Sequence, residues 1–153
     1  MKKILLASAT ALGLFFGLPS QAATTTGTFN VNITLTSVCT LGTITDVAFA
    51  YTSFQNTAVA GTGGGFNVTC TPGLQYTMAL TTTNGGGTAD VTDDAVNLAY
   101  TLAVPATTQT GTGAAQAFTV TGTMAANQAG TCATTTCTNA AASNRGKTLT
   151  VTY

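Results

Sequence analysis

The sequence predicts an all-β sandwich, and three observations carry that prediction. Apolar residues recur at every second position in run after run. The runs are short and end in turns rich in Gly, Pro or Asn. No segment carries a convincing helical period. A strand packed in a two-layer sandwich needs one apolar face, and period-two alternation provides it.

Seven such strands can be read in order. Phe29, Val31, Ile33 and Leu35 alternate with Thr28, Asn30, Asn32, Thr34 and Thr36 without a break. Val47, Phe49 and Tyr51 repeat the pattern, as do Phe66, Val68 and Cys70. After a Pro72-Gly73 turn come Leu74, Tyr76, Met78 and Leu80; then Val96, Leu98, Tyr100, Leu102 and Val104, ended by Pro105. Phe118, Val120 and Met124 form the sixth strand, and Leu149, Val151 and Tyr153 the seventh. Gly61–Gly65 and Asn84-Gly85-Gly86-Gly87 are turn signals, and the Ala-rich stretch Met124–Ala129 allows a short helix.

The N-terminal residues read as an export signal. Lys2 and Lys3 precede an apolar run from Ile4 to Leu18, Pro19 breaks it, and Ser20-Gln21-Ala22 places small residues at the cleavage positions. The run is short of the about 20 residues a membrane span needs. Residues 1–22 are therefore expected to be removed as the chain enters the periplasm, leaving one domain that is not embedded in a membrane.

Charge and composition exclude several functions. The chain has four Lys or Arg and four Asp or Glu, no His and no Trp. All four acids are Asp, and beyond the signal the only bases are Arg145 and Lys147. A nucleic-acid-binding surface needs clustered basic residues, which are absent. General acid–base catalysis would rest on Asp alone, and no nucleophile has an evident base, so no catalytic residue is expected. Asp90-Val91-Thr92-Asp93-Asp94 lacks a full calcium ligand set and reads as a solvated turn. Neither a metal nor another cofactor is expected. Cys39, Cys70, Cys132 and Cys137 fit no common zinc spacing; in an oxidising compartment they predict two disulfides, with three pairings open.

The ordered motifs resemble a known family. Gly27-Thr28-Phe29-Asn30-Val31-Asn32-Ile33-Thr34-Leu35-Thr36-Ser37-Val38-Cys39 is similar to the donor strand and first cysteine of the spore coat protein U domain family, the subunits of archaic chaperone–usher pili. Val68-Thr69-Cys70-Thr71-Pro72-Gly73-Leu74-Gln75-Tyr76 resembles its second-cysteine motif. Phe49 and Tyr51, Leu98–Leu102, Phe118–Gly122 with Gln128 beyond, and the closing Thr148–Tyr153 strand resemble further family segments. The chain departs from the family in lacking a mid-domain Arg and Trp, and in carrying the Cys132-Ala133-Thr134-Thr135-Thr136-Cys137 loop.

The resemblance implies an incomplete immunoglobulin-like sandwich of about six or seven antiparallel strands, spanning residues 39–153 and preceded by an extension over residues 23–38. A donor strand from a neighbouring subunit would complete it, with Phe29, Val31, Ile33 and Leu35 filling the groove. The resemblance also implies a Cys39–Cys70 bridge, and with it a Cys132–Cys137 bridge. Leu149, Val151 and Tyr153 would line the groove edge and contact a periplasmic chaperone, from which an outer-membrane usher would pass the subunit into a head-to-tail homopolymer on the cell surface. That implies a structural role in attachment or biofilm. The other readings are a spore or cyst coat protein and a secreted, self-complemented adhesin.

Overall fold

A computed structural model describes residues 22–81 and 88–153. The export signal expected over residues 1–22 lies, apart from Ala22, outside the described residues, as does the expected turn at Asn84-Gly85-Gly86-Gly87. The chain divides into two units, Met1–Thr34 and Leu35–Tyr153. In the first, residues 22–34 have no regular secondary structure and are exposed.

The second unit is all-β. Its strands are β1 (Cys39–Leu41), β2 (Val47–Ala48), β3 (Val59–Ala60), β4 (Thr62–Gly63), β5 (Gly65–Cys70), β6 (Gln75–Thr81), β7 (Thr88–Thr92), β8 (Ala99–Ala103), β9 (Gln109–Thr110), β10 (Gln116–Thr119), β11 (Thr121–Met124) and β12 (Thr148–Thr152). Each pairing is antiparallel, in sheets ordered β1-β5-β10, β3-β11-β8-β7, β12-β6-β9 and β2-β4. This is an immunoglobulin-like sandwich built from short ladders.

Alternation accounts for the longest strands. Phe66, Val68 and Cys70 of β5 and Tyr76, Met78 and Leu80 of β6 point inward and are buried. Together with Leu102, Val104, Val120 and Leu149 they form the core. Phe118 stacks on Phe66 at 5.8 Å between ring centroids and meets Tyr76 edge-on at 6.5 Å. The buried Tyr76 hydroxyl is not orphaned, since it donates to Gln116 Oε1 at 3.1 Å.

The first expected strand, Phe29–Leu35, is not formed, since it has no ladder partner among the described residues; the later departures follow from backbone partners. The single strand expected over Phe118–Met124 is two: β10 pairs with β5, and β11 pairs with β8 and β3. The chain switches sheets at Val120, whose N–H donates to Gly64 O at 2.9 Å. Only glycine fits opposite, because Gly64 has φ +75° and a Cβ there would lie 2.3 Å from Val120 O. The strand expected from Val96 starts at Ala99; Val96 lies in a turn, with Asn97 at φ 52°. An additional strand, β7, precedes that turn and pairs with β8 along its length. The stretch from Val47 narrows to the two residues of β2.

The short helix allowed over Met124–Ala129 does not form. Met124 ends β11, and a turn follows with Asn127 at φ 62°. The Gln128 amide decides this: its Oε1 accepts from Ala99 N–H at 2.6 Å, while its Nε2 donates to Ala99 O at 2.8 Å and Ala125 O at 3.1 Å. One side chain thus copies a ladder pair and extends the β8 edge, which outweighs alanine's helix propensity. Tyr51 joins the same knot by accepting from Gln128 N–H at 2.9 Å, and Phe49 packs against Tyr100 at 5.7 Å.

The sheet-switching corner gives a paired prediction. Gly64→Ala meets both an unfavourable φ and a backbone clash, whereas Gly73→Ala, at φ +82° with open space around it, meets the φ cost alone. Urea unfolding should show Gly73→Ala losing about 1 kcal/mol and Gly64→Ala losing clearly more. Equal losses would mean the Val120 corner is not tightly packed.

Candidate assembly interface

The β5–β6 and β9–β10 connections are bonded to each other, which orders the edges of the two three-stranded sheets. β9 and β10 are joined through a loop at Gly111–Ala115 that is sewn to the turn between β5 and β6. Gly73 N–H donates to Gly111 O at 2.9 Å, Gly111 N–H to Leu74 O at 2.7 Å, and Gly113 N–H to Cys70 O at 3.0 Å. β9 and β10 therefore flank β6 and β5 on the same side. The opposite side is bounded by β12, beyond β6, and by β1, beyond β5. Among the described residues, β1 pairs only with β5 and β12 only with β6, so each keeps one edge of backbone donors and acceptors without a ladder partner.

Exposed apolar side chains collect at those edges and in the segment before β1. Eight large apolar side chains are exposed among the described residues, and all but Phe54 lie between Phe29 and Leu41 or at Tyr153. In β12, Leu149 is buried opposite Leu80, Val151 is half-buried opposite Met78, and Tyr153 beyond the strand is 58% exposed. Burial thus fades along the strand toward its end. On the other edge, Cys39 is half-buried, and Val38 and Leu41 are 53% and 40% exposed.

The residues expected to act as a donor are open to solvent. Phe29 is 87%, Val31 72% and Ile33 85% exposed in the first unit, and Leu35 is 78% exposed at the start of the second. Val38 and Leu41 were not anticipated. Val38 breaks the phase set by Phe29 to Leu35, and the short β1 has too few residues for a period to show.

Both edge strands are held firmly. Cys39 lies directly opposite Cys70 in the β1–β5 register and is bonded to it. The second disulfide joins Cys132 to Cys137, in an exposed loop. Val38 N–H donates to Thr71 Oγ1 at 3.0 Å, and Thr71 N–H returns a bond to Val38 O at 3.0 Å.

β12 is placed by a carboxylate that is buried, where the sequence predicts a solvated turn. Asp93 is no part of a solvated turn; it is 2% exposed. Its Oδ1 accepts from Ala95 and Val96 N–H, each at 2.9 Å, and its Oδ2 accepts from Asn139 Nδ2 at 3.0 Å. Asp94 accepts from the Ser143 backbone and hydroxyl, and Asn144 Nδ2 donates to Thr92 O at 2.7 Å. These bonds tie the segment Asn139–Asn144 to the end of β7, and so fix the approach to β12. Lys147 Nζ bonds Asn144 O and sits 5.9 Å above the Tyr100 ring.

Burial alone would raise the Asp93 pKa. The bonds from Val96, Asn139 and Ala95, with the Lys147 charge, outweigh it and hold the carboxyl below its usual range. Tyr100 is pushed up by burial and then by the Asp93 charge, and Tyr76 by burial. Among the described residues no group of His, Cys, Asp or Glu is placed to hold a metal, and no helix is long and apolar enough to cross a membrane.

The fold defines a class: an all-β, immunoglobulin-like sandwich of short antiparallel ladders. The chain belongs to the Spore Coat Protein U domain family, whose model matches residues 25–152. That family is a structural, pilin-type one and not a family of enzymes, and membership implies, at the family level, a pilus-like subunit of the chaperone–usher type. No curated protein and no solved structure gives a significant match.

Two predictions concern these anchors. A lowered native pKa means that Asp93 stabilises the fold fully above the ordinary Asp range, near pH 3.9, and loses that effect as pH falls through its native value. Asp93→Asn keeps one acceptor but turns an amide toward the Asn139 amide, so at pH 7 it should lose roughly 1–3 kcal/mol. Unfolding curves of the two proteins should converge below about pH 4; a gap independent of pH would contradict the assignment. For the disulfides, the 31-residue separation of Cys39 and Cys70 predicts a loss of about 3–4 kcal/mol on Ser substitution of the pair, against about 2 kcal/mol for Cys132 and Cys137, five apart. Urea midpoints in the opposite order would contradict it.

Proposed function

We propose that this chain is the repeating subunit of a surface fibre, and that each copy completes its neighbour by donating the strand Phe29–Leu35 to the open side between β1 and β12. The observation that carries the reading is a match of needs. One segment, Phe29–Leu35, carries alternate apolar side chains that are 72–87% exposed. β1 and β12 each have a free edge, and along β12 burial falls from Leu149 to Tyr153.

Strand addition answers both needs. Backbone groups of the incoming strand pair with the free edges, while its alternate side chains enter the groove; chaperone–pilin complexes are a known instance of this mode. At about 1.5–3 kcal/mol for each buried apolar side chain, Phe29, Val31, Ile33 and Leu35 contribute about 6–12 kcal/mol before ordering costs. Each copy gives one strand and takes one, a heterologous contact that builds a filament instead of closing on itself.

The near-neutral composition suits association, since little repulsion opposes it. Before assembly the open side needs a temporary occupant, which is the role of a periplasmic chaperone contacting Leu149, Val151 and Tyr153. An outer-membrane usher then exchanges it for the next subunit's strand. The fibre displayed on the cell surface serves attachment and biofilm formation.

Two variants test the reading. A chain lacking Thr24–Thr36 should accept a donor strand yet fail to propagate, so it caps fibres of the wild-type protein; homopolymers made from it alone would refute the proposal. Val31→Asp with Ile33→Asp should abolish fibres while export continues, because unpaired charges would be buried in the groove. Electron microscopy showing normal fibres from that double variant would remove Phe29–Leu35 as the donor face.

A further inference from the structure

Phe54 stands apart from the other exposed apolar side chains, which lie between Phe29 and Leu41 or at Tyr153. A single surface aromatic needs no explanation by itself. Phe54 does, because of its backbone. It has φ 60°, in the left-handed region that Gly and Asn enter readily and a bulky residue resists. It is the third residue of a turn at 52–55, closed by Gln55 N–H donating to Thr52 O at 3.1 Å. A turn with positive φ at that position calls for Gly or Asn. This one carries a phenyl ring that is 72% exposed, so little burial offsets the unfavourable backbone.

The turn is braced from several directions. Gln55 Oε1 accepts from Thr52 N–H at 2.9 Å, and its Nε2 donates to Thr57 O at 2.7 Å. Phe54 N–H donates to Gln128 O at 2.8 Å, and Asn127 N–H donates to Gln55 O at 2.7 Å. Gln128 is itself held by Ala99 and Tyr51. The turns at 52–55 and 125–128 are thus bonded together, and they hold a φ that Phe does not favour. Strain that the surroundings impose in this way marks functional positions.

The neighbouring residues indicate what the ring meets. Thr52, Ser53, Asn56, Thr57 and Asn127 are exposed, and they offer hydroxyl and amide groups that both donate and accept. Residues 47–89 and 95–144 contain no Asp, Glu, Lys or Arg, so the stretches that supply both turns offer no ionic contact to a phosphate or an anionic membrane. An extended apolar surface would meet one ring set among polar side chains. A sugar ring matches better, since it has an apolar C–H face rimmed by hydroxyls. The face can stack on the aromatic while the hydroxyls bond to amides and hydroxyls around it.

We infer that the joined turns at 52–55 and 125–128 form a carbohydrate-binding site, with the Phe54 ring as the stacking platform for a neutral sugar unit of a polysaccharide. The site lies wholly within the unit Leu35–Tyr153 and does not rest on the donor-strand reading. Repetition along a fibre would multiply a weak single contact.

The test measures retention of the purified mature chain on immobilised glucan, mannan, galactan and chitin, with bare matrix and phosphatidylglycerol vesicles for comparison. The wild type should be retained by at least one of the four and by neither comparison probe. Phe54→Gly should weaken that retention about tenfold, as loss of a stacking contact implies. Its urea midpoint should stay the same or rise, because Gly suits the left-handed backbone. Phe54→Leu should lose retention similarly, and Phe54→Tyr should keep it. Retention by none of the four, or equal retention of the wild type and Phe54→Gly, would overturn the inference. Three other results would do the same. Phe54→Leu retained as well as the wild type, or binding to the vesicles, would mean a general apolar contact. A lower urea midpoint for Phe54→Gly would mean that the ring serves packing. Smaller particles of Phe54→Gly in light scattering would mean that the ring docks on a second copy.

Discussion

Among the free strand edges of this molecule, those of β1 and β12 lie next to its exposed apolar side chains. A buried backbone N–H or C=O must be paired, and an open core must be covered, so β1 and β12 leave a requirement that their own sheets do not meet. Much else in the sandwich bears on those edges. The Cys39–Cys70 bond and the Val38–Thr71 pair hold β1 in register on β5. The Asp93 and Asp94 bonds to Asn139 and Ser143 fix the approach to β12. The Gly111 contacts with Gly73 and Leu74 join the β9–β10 connection to the β5–β6 turn. Each of these contacts fixes an edge strand, or the approach to it, on the strands of the core.

The fold also gives an account of residues that look ornamental in the sequence. Gln128 serves as a substitute ladder pair for Ala99, and Tyr51 orients Gln128 by accepting its backbone N–H. Phe49 lies across Gly61 and Gly122, where a Cβ would come within 3.0 Å and 2.5 Å of its ring. The resemblance to family segments at Phe49, Tyr51, Gly122 and Gln128 thus traces to one packed knot beside β8 and β11. The Cys132–Cys137 loop is different: it is exposed and lies outside the core.

Much of the fold was legible because strict alternation and one-sided burial are the same fact seen twice. β5, β6 and β12 follow it residue by residue. Phe29–Leu35 shares the alternation without the burial, and periodicity by itself cannot say whether such a strand is covered by its own chain or by another. Other features were hidden for definite reasons. β7 carries Asp90 and two Thr, with Val91 its one large apolar residue, so its composition reads as a loop; pairing along β8 overrides that. Asp93 looked solvated because its partners, Asn139 and Lys147, are far along the chain. The break at Val120 depends on Gly64, in the link between β4 and β5, and no local pattern announces it. In each case the deciding contact is long-range.

The most direct test of strand exchange is to incubate native material, reduced and unreduced, in SDS at moderate temperature and to compare it with boiled samples on one gel. Exchange through a strand buried in a rigid groove should resist detergent kinetically. It therefore predicts a ladder of multimers at moderate temperature, insensitive to reductant, that collapses to one band on boiling. A single monomer band at every temperature, or a ladder that disappears with reductant alone, would contradict it.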